Sequence, residues 1–174
     1  MNIDPEQSDD GILWHTAVHE AGHAVIGRIL NLPCGKATIV PDFDEETNGF
    51  ALVTREPDTN RAHWYDHHDK WRGLEVVFHA NILVSMAGAE AERVVIGCDY
   101  GGDSDDETNI SWMGASMMDT LSPERDRLLA QLRRHTSRLV RKHRLRIERV
   151  AFALMEHRTL QGHEIDELVS SPIE

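Results

Sequence analysis

The last third of the chain carries the pattern that most limits its possible folds. Apolar residues recur at helical spacing over residues 128–154, which predicts one long amphipathic helix with a break near His143. Ser122-Pro123-Glu124 stands where that helix would begin. Serine is a favoured N-cap, proline fits the first helical position, and an acidic residue in the first turn complements the helix dipole. A chain with such a segment is expected to be mainly helical.

Shorter patterns fill most of the remaining sequence. Four further segments are predicted to be helices, and they cover residues 11–32, 74–96, 106–119 and 162–169. Two runs of β-branched residues predict strands at residues 36–40 and 49–54, which would form a hairpin. We therefore predict a mainly α fold: a single helical domain at residues 11–170 with a small β-hairpin, after a flexible acidic N-terminal tail at residues 1–10.

The net charge and the apolar runs exclude several classes of protein. The chain of 174 residues carries a net charge of −12, which argues against nucleic acid as a partner because phosphate binding needs a basic surface. No apolar run reaches the roughly 18 to 20 residues that span a bilayer, so no membrane span is expected. The polar, acidic start is no secretory signal, and Cys34 and Cys98 form no disulfide framework. We expect two reduced, buried thiols in a cytoplasmic protein.

A metal-binding pattern lies within the first predicted helix, where His19-Glu20-Ala21-Gly22-His23 fits H-E-x-x-H. Residues four apart share one face of a helix, so both imidazoles can reach one metal ion. Zinc at such a site lowers the pKa of bound water to about 7, and Glu20 is placed to accept the proton. In a chain this rich in histidine, a chance match is expected about one time in twenty. The alternative is a pair of histidines on a helix surface.

A catalytic zinc ion needs a third protein ligand and an open position. Another histidine or a carboxylate must supply this ligand from elsewhere in the chain, and spacing alone does not choose among the candidates. They are Glu90, Glu92, Asp103, Asp105, Asp106, Glu107 and the cluster of His63, Asp66, His67 and His68.

A histidine-rich stretch before the second predicted helix has two interpretations. His63, His67 and His68 could bind a second metal ion, but a solvated loop is favoured because short histidine-rich tracts are only compositional hints. Tyr65, Tyr100 and His63 are candidate hydrogen-bond donors to a transition state, and the sequence does not rank them.

Basic residues are concentrated in one part of the long predicted helix. Residues 133–149 contain eight of the 18 lysines and arginines in the chain. A solvated helix face is the favoured interpretation, because the net charge argues against a nucleic-acid surface. A further hypothesis is that this strip docks on the acidic loop at residues 99–107 of a neighbouring subunit, in a homo-oligomer that salt would weaken.

Beyond the metal motif, several segments resemble the peptidase domain of FtsH-type ATP-dependent zinc proteases. The resemblance extends over residues 13–169, and its strength lies in the order and spacing of the matches. HEAGHA at residues 19–24 resembles the usual sequence of the family's first catalytic helix. The later matches are KATIVP at 36–41 with GFA at 49–51, AGAEAE at 87–92, GDSDD at 102–106, and LME, TL and GHEI at 154–165. They are similar to the family patterns K-V-T-I-x-P, G-G-R-A-A-E, G-A-S-N-D and L-L-E-x-x-T-L-x-G-x-E-I.

This resemblance implies a zinc-dependent metalloendopeptidase that binds one zinc ion per chain. The implied ligands are His19, His23 and Asp106, and Glu20 is the implied general base for a zinc-activated water. Asp106 aligns with the last aspartate of the family pattern. Glu92 aligns with the family glutamate and is expected to orient a histidine N–H; the rival interpretation is that Glu92 ligates zinc in place of Asp106.

The sequence also departs from that family. The transmembrane segment and the ATPase module that precede the family's peptidase domain have no counterpart in this sequence. We expect the chain to cut peptides or already unfolded proteins, or to use an ATPase partner that acts in trans. The alternative function is a non-catalytic regulatory or binding module that keeps the peptidase fold and assembles with a partner protease or ATPase. A structural zinc site is a third possibility, and it would need a fourth protein ligand.

Overall fold

Helices make up most of the described architecture, which confirms the predicted mainly α fold. The computed structural model describes residues 9–41, 48–53, 70–101, 104–117 and 122–172. The helices in these ranges are α1 (Asp9–Ile29), α2 (Lys70–Ser85), α3 (Ala87–Val95), α4 (Ser104–Met117), α5 (Pro123–His157) and α6 (Gly162–Ser170). The strands are β1 (Cys34–Thr38), β2 (Phe50–Val53) and β3 (Thr159–Gln161).

Helix α1 lies at the centre of the hydrophobic core and packs against both α3 and α5. Its fully buried apolar side chains are Ala17, Val18, Ala21, Ala24, Val25 and Ile26. Gly22 allows α3 to come close, because a Cβ atom at this position would lie 2.6 Å from the carbonyl oxygen of Ala87. The small residues within the H-E-x-x-H segment therefore bring α3 directly against α1.

The small sheet is antiparallel and has the strand order β2-β1-β3. The predicted hairpin is confirmed, since β1 pairs with β2 from Thr38 opposite Phe50 to Cys34 opposite Val53. Strand β3 pairs with the other side of β1 and is missing from the sequence prediction. Three residues are too few to show an alternating pattern, and only the pairing with β1 defines them as a strand.

Helix α5 begins where the sequence predicts. Ser122 caps it by accepting a hydrogen bond from the backbone N–H of Arg125 at 3.2 Å. The helix continues without interruption to its end, so the predicted break near His143 is wrong. That side chain is buried on the same helix as Val140 and Ile147, at spacings of three and four residues, which keeps the core-facing stripe continuous.

Two other predicted boundaries change in the structure. The single helix predicted at residues 74–96 is divided at Met86 into α2 and α3. The acidic loop predicted at residues 99–107 is shorter than expected, because α4 begins at Ser104. The first turn of α4 therefore holds three acidic residues, where the helix dipole favours negative charge, and these are Asp105, Asp106 and Glu107.

None of the described helices is both long and apolar enough to cross a membrane. Of the two thiols predicted to be buried, Cys34 is buried and Cys98 is exposed. Most of the predicted N-terminal tail lies outside the described residues, and Asp9 and Asp10 belong to α1.

Candidate metal centre

Two imidazoles of α1 face one carboxylate of α4. His19 and His23 lie one helical turn apart, with their ring centroids 4.7 Å from each other. The Nε2 atom of His19 is 3.3 Å from Oδ2 of Asp106, and the Nε2 atom of His23 is 3.1 Å from the same oxygen. The three residues that the family resemblance implies as zinc ligands are therefore brought together by α1 and the first turn of α4.

The remaining ring nitrogens of these histidines are fixed by hydrogen bonds. Nδ1 of His23 lies 2.8 Å from the carbonyl oxygen of Val84, which can only accept, so this nitrogen carries the proton. Nδ1 of His19 donates in the same way to Oε1 of Glu92 at 2.7 Å. When the rings are neutral, each Nε2 atom is thus left with a lone pair that is available to a cation.

The donor set fits a zinc ion. One ligand atom from each of His19, His23 and Asp106 lies within 4.8 Å of the other two, and this is the cluster of metal-ligating residues found in the described part of the chain. Tetrahedral zinc with bonds of about 2.0–2.1 Å places its ligand atoms about 3.3 Å apart. The observed 3.1 and 3.3 Å separations agree with that spacing. Two imidazoles and one carboxylate also leave a fourth position open, as a catalytic zinc site requires.

The electrostatics of the site call for a positive charge between these groups. Burial alone would lower the pKa of His19, but hydrogen bonds to Asp106 and Glu92 outweigh it and raise this pKa to about 10. Burial likewise acts against the charged form of His23, and Asp106 again raises its pKa. Burial would raise the pKa of Asp106, but His23 and His19 lower it to about 2. When no metal ion is bound, protonated His19 and His23 supply the positive charge that stabilises the carboxylate of Asp106.

Glu20 is buried at the wall of the same pocket. Burial raises the pKa of its carboxyl group, and the neighbouring His23 and His19 offset only part of that effect. A carboxyl group with a raised pKa accepts a proton more readily than an ordinary one, which is the property that a general base needs near neutral pH. Glu20 therefore lines the same pocket as the three candidate ligands, and its role as a base stays a prediction.

Glu92 contacts the nitrogen of the His19 ring that does not belong to the ligand cluster. Its Oε1 atom contacts Nδ1 of His19, whereas the ligand cluster uses Nε2 of that ring. Its Oε2 atom accepts hydrogen bonds at 2.9 Å from Nδ1 of His15 and from the backbone N–H of Tyr100. Burial would raise the pKa of Glu92, but the hydrogen bonds from His19 and His15 lower it. This arrangement supports the prediction that Glu92 orients a histidine and gives no support to its rival role as a ligand.

Two residues of this centre are absent from the sequence prediction. His15 precedes His19 by four positions, the same spacing that singled out His23, so the helical period could have indicated it. Gly88 lies so close to the imidazole tips that a Cβ atom there would be 2.5 Å from Nε2 of His19 and 2.6 Å from Nε2 of His23. No local pattern marks Gly88, because the close approach arises only when α3 packs on α1.

The other candidate ligands are dispersed. Glu107 forms an ion pair with Arg133, whose Nη2 atom is 3.1 Å from Oε1 of the glutamate. Glu90 forms another with Arg93, whose Nη1 atom is 3.6 Å from Oε2 of Glu90. Asp105 is exposed at the rim of the pocket. The remaining candidates lie outside the described residues, and these are His63, Tyr65, Asp66, His67, His68 and Asp103.

Several basic residues of α5 have contacts within the chain. Arg133 binds Glu107 of α4, so part of the predicted strip is paired with its own acidic segment. Arg146 and Arg149 donate to carbonyl oxygens at the end of α6. These contacts account for three of the eight basic residues at positions 133–149 without a neighbouring subunit.

An open pocket leads to the candidate metal centre. It lies between α1, the end of α2, the first turn of α4 and all four residues of β2. Because β2 is an outer strand of the described sheet, one side of its backbone is not used for pairing with β1. An outer strand is in general a position at which a further extended segment can add through backbone hydrogen bonds.

Comparison with known proteins finds relatives among zinc metalloproteases. No family model matches the chain. The chain is 26% identical to the ATP-dependent zinc metalloprotease FtsH of Neorickettsia risticii over 190 aligned positions, which cover 88% of the chain and 28% of that protein. FtsH of Rickettsia prowazekii is also 26% identical, over 89% of the chain and 28% of that protein. The zinc metalloprotease YME1L1 of Rattus norvegicus is 30% identical over 103 positions, 55% of the chain and 13% of that protein.

The chain is similar to FtsH-type zinc metalloproteases. The match to the FtsH proteins extends over nearly nine tenths of the sequence, and the fold is mainly α with a small antiparallel sheet. The chain spans 28% of the length of the two FtsH proteins named above. Their ATP-dependent activity is therefore a property of much longer chains, and what this chain does by itself is a separate question.

Proposed function

We propose that this chain is a zinc-dependent peptidase that hydrolyses peptide bonds. His19, His23 and Asp106 would hold one zinc ion, and Glu20 would act as the general base. The observation that carries the proposal is the convergence of two Nε2 atoms and one carboxylate oxygen beside the buried Glu20, at the floor of an open pocket. A structural zinc site would have a fourth protein ligand, and the described residues around this cluster offer none.

Each residue of the site has a separate role in the proposed reaction. Bound zinc would supply a Lewis acid that polarises the scissile carbonyl and makes water more acidic. Glu20 takes a proton from the attacking water and then passes it to the leaving amine. Val84 and Glu92 hold the two imidazoles in one orientation, so that the ligand atoms are in place before substrate binds.

An extended polypeptide is the substrate that the pocket best accommodates. The outer strand β2 can pair with a peptide segment, which would place its backbone along the wall next to Glu20. A folded protein does not offer such a free segment. The chain would therefore act on peptides or on already unfolded proteins, with or without an ATPase partner that acts in trans.

The substitution Glu20→Gln tests the proposed base. We expect it to retain zinc and to slow the hydrolysis of an unfolded protein such as casein by at least about 100-fold, because the amide cannot accept the proton. Glu156→Gln, the same chemical change on an exposed side chain of α5, should leave the rate unchanged. Cleavage by Glu20→Gln at the wild-type rate would exclude this mechanism.

The ligand set is tested by elemental analysis of purified protein. We expect about one zinc ion per chain in the wild type, and loss of zinc in both His23→Ala and Asp106→Ala. Zinc retained by Asp106→Ala would exclude Asp106 as the third ligand. Zinc bound by a wild type that hydrolyses no peptide would instead favour the non-catalytic binding module.

A further inference from the structure

The histidine face of α1 continues one turn beyond the candidate ligands. His15, His19 and His23 follow one another at spacings of four residues, and His15 as a residue is 4% exposed. Its Nδ1 atom lies 2.9 Å from Oε2 of Glu92. The ring of Tyr100 lies against it, with the two ring centroids 4.9 Å apart. His15 is thus a buried polar side chain whose one described hydrogen-bond partner also contacts His19.

The two carboxylate oxygens of Glu92 have different hydrogen-bond partners. Oε1 accepts from Nδ1 of His19 at 2.7 Å. Oε2 accepts from Nδ1 of His15 and from the backbone N–H of Tyr100, each at 2.9 Å. Glu92 as a residue is only 3% exposed, and several donors hold its carboxylate in one orientation. Because two donors hold Oε2, Oε1 is left directed at His19.

We propose that His15 is a positioning residue of the zinc site, which acts through Glu92 on His19. This inference rests on the proposed function, since it concerns the same zinc ion. His15 holds the carboxylate in the orientation that keeps the proton on Nδ1 of His19 and the lone pair of Nε2 directed at the metal. Removal of the His15 imidazole leaves the Glu92 carboxylate with two donors, the backbone N–H of Tyr100 and Nδ1 of His19. Oε2 then keeps one of its two hydrogen bonds.

Two variants of similar size separate the hydrogen bond from the packing. Asparagine places an amide N–H close to the position of Nδ1 in histidine, whereas leucine fills the same space without a donor. We expect His15→Leu to weaken zinc binding by about tenfold, the lower end of the effect for residues that support a metal ligand. His15→Asn should bind zinc within about threefold of the wild type.

Zinc affinity is measured by competition with a chromogenic chelator at one fixed pH, and the cobalt-substituted protein reports ligand geometry through its visible absorption spectrum. His143→Leu is the matched control, because it removes another buried histidine, which contacts Arg146 in α5. It should leave both readouts unchanged. Urea unfolding of the metal-free proteins shows whether a loss of affinity merely follows a loss of stability.

The outcomes distinguish the two proposals. Weaker zinc binding and an altered cobalt spectrum in His15→Leu, with both restored in His15→Asn, would support the role of His15. Wild-type affinity in His15→Leu, or equal weakening in both variants, would overturn it while leaving the proposed function intact. A wild-type chain that binds no zinc would overturn the proposed function, and the role of His15 with it.

Discussion

Gly88 is the residue at which α3 touches the metal centre. Its Cα lies opposite the tips of both imidazoles, and the space that a side chain would need is taken by their Nε2 atoms. In most helical positions, alanine is favoured over glycine by about 1 kcal/mol. At this position the absence of a side chain leaves the ligand atoms in place, so the geometry of the site outweighs helix propensity.

The substitution Gly88→Ala should therefore damage the metal site and not the helix. We expect the new methyl group to displace His19 and His23 and to weaken zinc binding by at least about tenfold, with helix content unchanged by circular dichroism. Gly35→Ala is the control, since a Cβ atom there would lie 3.7 Å from Leu52, an ordinary contact distance. Wild-type zinc affinity in Gly88→Ala, measured by chelator competition, would show that the imidazoles can move aside at little cost.

Residues of the site differ in how far the sequence alone could identify them. The ligand pair His19 and His23, with Glu20, follows from spacing within one helix, because local geometry fixes which side chains share a face. Asp106 is 83 positions beyond His23, and only the family resemblance separates it from the other acidic candidates. Gly88 lies in the AGAEAE segment that resembles the family, but neither route predicts its contact with the imidazoles, since that contact depends on how closely two helices pack.

At the scale of elements, α5 and α6 are joined by charged hydrogen bonds. Arg149 of α5 donates to the carbonyl oxygens of Leu168 and Ser171 at 3.0 and 3.1 Å, and to that of Pro172 at 2.9 Å. The last carbonyls of a helix have no partner within the helix and carry partial negative charge. The guanidinium group of Arg149 thus binds the end of α6 and the two residues after it, next to the hydrogen bond from Arg146 to Val169, and connects them to the core helix α5.

The substitution Arg149→Met tests this connection. It keeps most of the aliphatic length and removes the donors, so we expect the free energy of unfolding to fall by about 1–3 kcal/mol, the range for hydrogen bonds to a charged group. Arg141→Met, at an exposed position of the same helix, should change stability by less than about 0.5 kcal/mol. Urea unfolding of the three proteins measures both values, and equal stability of the two variants would contradict the proposed link.

Elements with strong local signals are the ones that the sequence predicts well. The start of α5 at Ser122 and the hairpin of β1 and β2 depend on neighbouring residues, and both predictions are confirmed. The division of one predicted helix at Met86 and the strand β3 depend on tertiary contacts. In particular, β3 consists of three residues that become a strand by pairing with β1, so no sequence window could reveal it.

At the scale of the whole molecule, negative charge is concentrated where a substrate would bind. The chain carries a net charge of −12, and the described lining of the pocket includes four carboxylates but neither lysine nor arginine. These carboxylates belong to Glu20, Glu92, Asp105 and Asp106. Only part of their charge would be balanced by one zinc ion. The potential in the pocket should therefore attract basic peptide segments.

We accordingly expect lysine-rich peptides to be hydrolysed with a kcat/KM about tenfold higher than that of matched glutamate-rich peptides at low salt. The ratio should shrink at high salt, because screening shortens the range of the field. Asp105→Asn should also reduce the ratio, while Asp126→Asn, the same change on the exposed start of α5, should not. Equal rates for both peptides at low salt would contradict this expectation.

The candidate ligands lie far apart in the sequence, on a central helix and at the exposed start of another. A zinc ion shared by α1 and α4 would close a loop of more than 80 residues, and so act as a cross-link that an unfolded chain cannot form with the same geometry. Metal binding would then favour the folded state by mass action. The supply of zinc in the cell would set the lifetime of the molecule as well as its activity, since chains without metal would open more often and be degraded first.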